Sequence, residues 1–193
     1  MELATGVAEA GRVNEGFASE TEAAAFWADG TVDAGEKDLV YPGADGAARA
    51  ARHYPGQGRG VLLYMHGGGW AGGSIALNHR ACRALSAQSG WDVVSISYRL
   101  APQHPFPAGL SDCRAALRWL VKAGPELGVN TDRIACSGAS AGGNLALSLA
   151  LGPRDTALAG VVPFYPVTGA DFETDSYRRF AQGYGLSRKR MMH

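Results

Sequence analysis

The segment RIACSGASAGGN, residues 133–144, decides the fold of this 193-residue chain. An apolar run from Ile134 to Cys136 leads into the pattern Gly-x-Ser-x-Gly, which is centred on Ser140. An Ala- and Leu-rich stretch follows and ends before Gly152-Pro153. An apolar run, a small-residue turn and then helical composition predict a strand, a sharp turn and a helix. Ser140 then lies at the turn itself.

The turn requires residues without bulk on either side of Ser140. Gly138 and Gly142 stand two positions before and after it, where a side chain would obstruct the approach of strand and helix. A serine on such a turn has a strained backbone and projects its hydroxyl out of the sheet, while the helix directs its N-terminal amides at the same point. The alternative is a small-residue turn with a packing role only. The strand and helix on its two sides favour a nucleophile elbow.

The same alternation continues along the chain and predicts an α/β architecture. Strands are predicted at 37–41, 47–53, 61–65, 91–98, 134–136 and 158–165. Helices are predicted after Ser19 and over 78–89, 110–121 and 141–151. Most of the strands are apolar on both faces, as in a mostly parallel sheet with helices on both faces.

A second glycine-rich motif, HGGGW at residues 66–70, directly follows the predicted strand 61–65. Acyl transfer builds a negative oxygen in its tetrahedral intermediate, and consecutive glycines let backbone amides turn toward such an oxygen. The alternatives are a plain glycine turn or a phosphate loop. A phosphate loop would end in Gly-Lys-Ser/Thr or lead by its glycine spacing into a helix, and neither pattern occurs.

With these motifs, the chain resembles the hormone-sensitive-lipase-type carboxylesterases of the α/β-hydrolase superfamily over about residues 37–190. The residues that carry the resemblance are His66–Trp70, Tyr98–Ala108 (YRLAPQHPFPA), Gly138–Asn144 and Tyr165-Pro166. Gln103 stands where these proteins usually carry Glu, a change that we do not expect to affect the chemistry.

The resemblance implies an α/β-hydrolase fold and a role for each matching residue. Ser140 would be the nucleophile, and the amides of Gly68, Gly69 and Ala141 would form the oxyanion hole, supported by His66 and Gly67. The implied reaction is cleavage of small carboxylic esters with short to medium acyl chains, through an acyl-serine intermediate, without cofactor or metal. Residues 1–36 would be a cap-type segment, and residues 37–193 a partial hydrolase core.

A triad of this fold runs in the order Ser, then Asp or Glu, then His. After Ser140 the chain has one histidine, His193. The resemblance places the acid and base beyond it, so we expect a core that is incomplete at its C-terminus and inactive as a fragment. His53 and His79 are expected at the surface, and Asp112 as a charge on a helix face.

Two other functions remain open from the sequence. An amidase or formamidase could use the same serine chemistry on the same fold. A non-catalytic, receptor-like binder is the other alternative, because the gibberellin receptors of plants share the fold and have lost the triad histidine. The intact Ser140 and the glycine loop favour the ester hydrolase, since a binder needs neither.

Composition excludes several partners. The 18 basic and 18 acidic residues cancel, which leaves no field for nucleic acid. Cys82, Cys113 and Cys136 share no metal or redox spacing, and they favour buried thiols in a reducing compartment. We also find neither a signal peptide nor an apolar run of about 18 residues, so the sequence predicts a cytoplasmic protein without a membrane span.

Overall fold

A computed structural model describes residues 35–153 and 156–182. The helix predicted after Ser19, His193 and residues 1–34 of the predicted segment 1–36 lie outside the described residues. Within the described part, the residues up to Val167 belong to one compact unit and those from Thr168 to another. The first unit contains the whole sheet and every residue of the candidate site.

Within the described ranges, six strands form one sheet in the order β1-β2-β4-β3-β5-β6. Their bounds are β1 Lys37–Pro42, β2 Ala48–Tyr54, β3 Val61–Met65, β4 Asp92–Ile96, β5 Ile134–Ala139 and β6 Gly160–Phe164. Strand β2 pairs antiparallel with β1 and β4, and the remaining pairs are parallel. The predicted mostly parallel sheet is thus confirmed, with strand ends displaced by a few residues.

The helices of the first unit are α1 His79–Ser89, α2 Ala108–Ala123 and α3 Ala141–Leu151, with 3-10 turns at Ala76–Asn78 and Pro125–Leu127. The second unit contains α4, Asp175–Arg179, whose cap residue Thr174 accepts a hydrogen bond from the amide of Tyr177. The predicted helices α1 to α3 are confirmed. None of the helices in the described ranges is both long and apolar enough to cross a bilayer.

Side chains of β3 alternate between the two faces of the sheet. Val61, Leu63 and Met65 pack into a core with apolar residues of α2 and α3. Leu62 and Tyr64 pack into a second core that includes Cys82 of α1. Helices therefore cover both faces, as the doubly apolar strands predicted.

The pairing of β3 with β5 positions the two glycine motifs. The strands are parallel, with Val61 opposite Ile134 and Met65 opposite Gly138. Their carboxyl ends consequently lie at the same edge of the sheet, so the loop that begins at His66 and the turn at Ser140 start side by side.

Candidate active site

Ser140 occupies a single-residue turn between β5 and α3. Its φ of 53° and ψ of −116° are strained for a residue with a side chain. Its amide donates a 2.9 Å hydrogen bond to the carbonyl of Phe164, and its carbonyl accepts from the amide of Asn144 at 3.0 Å. The sharp turn predicted from Gly-x-Ser-x-Gly is therefore present, and neighbouring backbone holds it in place.

The glycines on either side of Ser140 allow this turn to contact the end of β3. A Cβ atom on Gly142 would lie 2.0 Å from the carbonyl oxygen of Met65, and one on Gly138 would lie 2.4 Å from the same oxygen. Both obstacles are backbone atoms, which cannot rotate away. Any larger residue at either position would force β3 and α3 apart.

The loop after β3 turns tightly through residues with positive φ. Gly68 has φ 129°, Gly69 has φ 61° and Trp70 has φ 59°. The carbonyl of Gly68 accepts from the amides of Ala71 at 3.2 Å and Gly72 at 3.0 Å. A Cβ on Gly68 would lie 2.1 Å from the carbonyl oxygen of Gly72, so this turn requires glycine.

The loop lies against Ser140. A Cβ built on Gly67 would be 3.0 Å from the carbonyl oxygen of Ala139 and 3.6 Å from the Cβ of Ser140. Within residues 35–153 and 156–182, the amides of Gly68, Gly69 and Ala141 donate to no acceptor. Gly68 and Gly69 are exposed, while Ala141 is buried at the start of α3. The fold thus brings the start of the glycine loop, at Gly67, beside the Ser140 side chain.

His66 supports the loop through its backbone and its ring. The residue is 1% exposed, and its Nδ1 lies 2.8 Å from the carbonyl oxygen of Gly67. Its carbonyl accepts a 2.7 Å hydrogen bond from the hydroxyl of Tyr98, and the two rings stack with centroids 4.4 Å apart. Sequence reasoning gave Tyr98 no role. Its place at the start of the family-like segment 98–108 was the available signal.

A family model described as alpha/beta hydrolase fold matches residues 62–193. The chain belongs to the hormone-sensitive-lipase-type esterase family of the α/β-hydrolase superfamily. It is 41% identical over 131 residues to carboxylesterase NlhH of Mycobacterium tuberculosis, a match that covers 66% of this chain and 41% of that protein. It is 39% identical over 129 residues to an arylesterase of Saccharolobus solfataricus, with 66% and 42% covered.

Solved esterase structures share the fold. A bacterial heroin esterase superposes with a TM-score of 0.78 at 32% identity, covering 87% of this chain and 56% of that one. An esterase of Pyrobaculum calidifontis superposes with a TM-score of 0.76 at 34% identity, covering 88% and 57%. The chain spans about two-fifths of the length of the curated relatives named above.

Asp112, which the sequence predicts as a helix-face charge, lies on the buried face of α2. It is fully buried, and its carboxylate accepts from Arg99 Nε at 2.9 Å, from Arg49 Nε at 3.4 Å and from the amide of Ala44 at 2.9 Å. Burial alone would raise its pKa, but the hydrogen bonds from the Arg99 side chain and from the amides of Ala44 and Arg99 hold that pKa below its usual value.

The expected surface position of His53 is wrong. His53 is 6% exposed, and its Nε2 lies 2.7 Å from Oδ1 of Asp92. His79 is half-buried, its Nδ1 lies 3.2 Å from the Tyr54 hydroxyl, and burial is the main cause of its lowered pKa. In the part of the chain that the structure describes, no histidine or carboxylate is hydrogen-bonded to the Ser140 hydroxyl. The same residues contain no group of three or more side chains suited to hold a metal ion.

Proposed function

We propose that the natural protein containing this chain hydrolyses carboxylic esters of short to medium acyl chains, with Ser140 as the nucleophile. The observation that carries the proposal is the backbone of Ser140, strained at φ 53° on a strand-to-helix turn beside a glycine loop. Backbone strain at a half-buried serine is expected where a reactive group must be presented to a substrate. The curated relatives named carboxylesterase and arylesterase support the same reaction class.

In the proposed reaction, Ser140 Oγ attacks the ester carbonyl carbon and its proton passes to a general base. The bond to the alkoxy oxygen then breaks, the base returns the proton to the departing alcohol, and an acyl-serine remains. Water attacks the acyl-serine by the same steps and releases the acid. The amides of Gly68, Gly69 and Ala141 stabilise the negative oxygen of each tetrahedral intermediate. We assign the base to a residue outside the described ranges, because no described histidine bonds to Ser140.

The proposal includes a reducing, cytoplasmic location. Its support is that Cys82, Cys113 and Cys136 are free and buried. Burial raises the pKa of the Cys82 and Cys136 thiols to about 12, which keeps both protonated at neutral pH. Thiols of this kind act as small apolar side chains, so they contribute to packing and take no part in the proposed chemistry.

The direct test is turnover of p-nitrophenyl acetate, butyrate and octanoate by the natural protein and by two serine variants. Ser140→Ala should lower kcat by about 10⁶, the loss that removal of a nucleophilic serine causes in a well-studied hydrolase. Ser137→Ala is the matched control, because Ser137 lies in β5, the strand that leads into the turn, and its Oγ donates to the carbonyl of Val162 at 2.6 Å. Ser137→Ala should keep the wild-type kcat.

The two alternatives give different results in the same assay. An amidase or formamidase would cleave p-nitroacetanilide or a formanilide faster than the esters, again only with Ser140 present. A receptor-like binder would show no Ser140-dependent turnover of any substrate. Ester turnover that survives in Ser140→Ala would contradict the proposed nucleophile.

A further inference from the structure

Both ends of the glycine loop are held by one short segment, Tyr98 to Ala101, which we call the brace. At the first end, the Tyr98 hydroxyl donates to the carbonyl of His66 at 2.7 Å. At the other end, the amide of Ala101 donates to the carbonyl of Trp70 at 2.9 Å. Glycine permits more backbone conformations than other residues, so the brace helps to limit where the amides of the three glycines between these anchor points can point.

The Tyr98 hydroxyl and the elbow meet at the same atom. A Cβ on Gly142 would lie 2.5 Å from the His66 carbonyl oxygen, the oxygen that accepts from Tyr98. Tyr98 itself is 4% exposed, and a Cβ on Gly109 of α2 would lie 3.1 Å from its ring. Tyr98 is thus packed between α2 and the His66 ring, with its hydroxyl fixed at the contact between loop and elbow.

Asp112 anchors the brace from α2. It accepts from the Arg99 amide at 3.1 Å, from Arg99 Nε at 2.9 Å and from Arg99 Nη2 at 3.0 Å. Three hydrogen bonds to one buried carboxylate fix both the backbone and the side chain of the residue that follows Tyr98. Helix α2 therefore fixes the position of Tyr98, and the Tyr98 hydroxyl in turn fixes the His66 carbonyl at the start of the loop.

We infer that Tyr98 is a positioning residue that sets the amides of Gly68 and Gly69 against Ser140, an inference that rests on the proposed function. Removing its hydroxyl takes this donor from the buried His66 carbonyl and weakens the attachment of the first end of the loop. The amides act on charge that develops in the transition state, so their displacement lowers kcat and leaves KM unchanged.

The test compares Tyr98→Phe with Tyr41→Phe in the natural protein that contains this chain. Tyr41 is the matched control, because it is also fully buried and its hydroxyl also donates to a backbone carbonyl, that of Ser97 at 2.6 Å. Ser97 stays anchored without it, since its amide and its Oγ both bond to the carbonyl of Ala50. The two variants therefore lose the same kind of hydrogen bond, but only Tyr98→Phe loses a bond to the glycine loop.

Two readouts are measured on each variant. The first is hydrogen exchange at the amides of Ala71 and Gly72, which bond within the loop. In Tyr98→Phe we expect exchange about fivefold to tenfold faster than in Tyr41→Phe, as for loss of one buried hydrogen bond. The second is the split between kcat and KM for p-nitrophenyl acetate. We expect kcat to fall about 10-fold to 100-fold with KM unchanged, because small misplacements of catalytic groups cost up to about 100-fold.

Loop exchange equal in the two variants would overturn the inference, whatever the turnover. Faster loop exchange with an unchanged kcat would overturn the catalytic part, because the loop would then move without consequence. A wild-type protein without Ser140-dependent turnover would refute the proposed function instead. Hydrogen exchange would in that case still decide whether Tyr98 positions the loop.

Discussion

Asp112 and Arg99 form a buried ion pair in which Oδ2 lies 2.9 Å from Nε and Oδ1 lies 3.0 Å from Nη2. The pair joins α2 to the segment that holds the glycine loop. Because Asp112 is fully buried, removal of its charge leaves the nearby guanidinium groups of Arg99 and Arg49 without their buried partner. The pair thus links the stability of the core to the geometry of the candidate site.

Asp112→Asn should lower the free energy of unfolding by about 3 kcal/mol at pH 7, the cost of breaking a buried ion pair from one side. Asp38→Asn is the matched control, because Asp38 bonds to Arg52 at 2.6 Å with a side chain that is 74% exposed. Exposed pairs contribute less than about 1 kcal/mol, so the control should change little. Urea titrations of both variants measure the difference, and equal losses would contradict the role of burial.

The contribution of Asp112 to the free energy of unfolding should decrease as the pH falls. The pKa of Asp112 is lower in the folded chain than in the unfolded chain. At pH values between these two pKa values, the unfolded state therefore binds more protons than the folded state. The stabilisation is complete above the unfolded pKa of about 3.9 and is lost as the pH falls through the lower folded pKa. Urea titrations from pH 7 downward should show the wild type losing its advantage over Asp112→Asn below about pH 4. An advantage that grows as the pH falls would contradict this sign.

Gly142→Ala should be strongly destabilising because its Cβ would lie 2.0 Å from the Met65 carbonyl oxygen. We expect a loss of at least about 3 kcal/mol, at the upper end of the cost of overpacking, since backbone cannot yield as a side chain can. Gly160→Ala is the control, because a Cβ there would meet no atom within 4 Å and its φ is not positive. It should stay within about 0.5 kcal/mol of wild type. The midpoints of thermal unfolding of the two variants measure this difference, and similar midpoints would contradict the close contact between Gly142 and Met65.

Gly68→Ala and Gly69→Ala should show whether catalysis depends on the close backbone contact within the glycine loop. Both residues have positive φ, but only a Cβ on Gly68 meets backbone, at 2.1 Å from the Gly72 carbonyl oxygen. We expect Gly68→Ala to lower kcat by about 10² to 10³, comparable to loss of one oxyanion-hole donor. Gly69→Ala, whose Cβ would meet no atom but whose backbone keeps a positive φ of 61°, should lose less kcat than Gly68→Ala. Equal losses would contradict the importance of the close contact between Gly68 and the Gly72 carbonyl oxygen.

The sequence predicted the features whose causes are local. Strands β3 and β5 are apolar runs, and the turn at Ser140 follows from glycines two positions away in the chain. Parallel strands have their carboxyl ends at the same edge of a sheet. The proximity of the two glycine motifs is therefore a direct consequence of the pairing of β3 with β5.

The burial of Asp112 could not be predicted in this way. It depends on Arg49 in β2, which is 63 positions away in the sequence, and on Arg99 in the loop before α2. Helical periodicity shows that a position faces the sheet. It does not show that the folded chain places the side chains of Arg49 and Arg99 against that position. His53 was missed for the same reason, since its partner Asp92 belongs to a strand that pairs with β2 only in the folded chain.

The measurement that tests the central claim most directly is labelling of the natural protein with a fluorophosphonate, followed by tryptic digestion and fragment-ion mass spectrometry. Ser140 lies in the tryptic peptide of residues 134–154, which also contains Ser137 and Ser148. The hydroxyls of those two serines donate to the carbonyls of Val162 and Asn144, which makes them internal controls. We predict one adduct, on Ser140, that is absent from Ser140→Ala. An adduct on another residue of a protein that still hydrolyses esters would contradict the account.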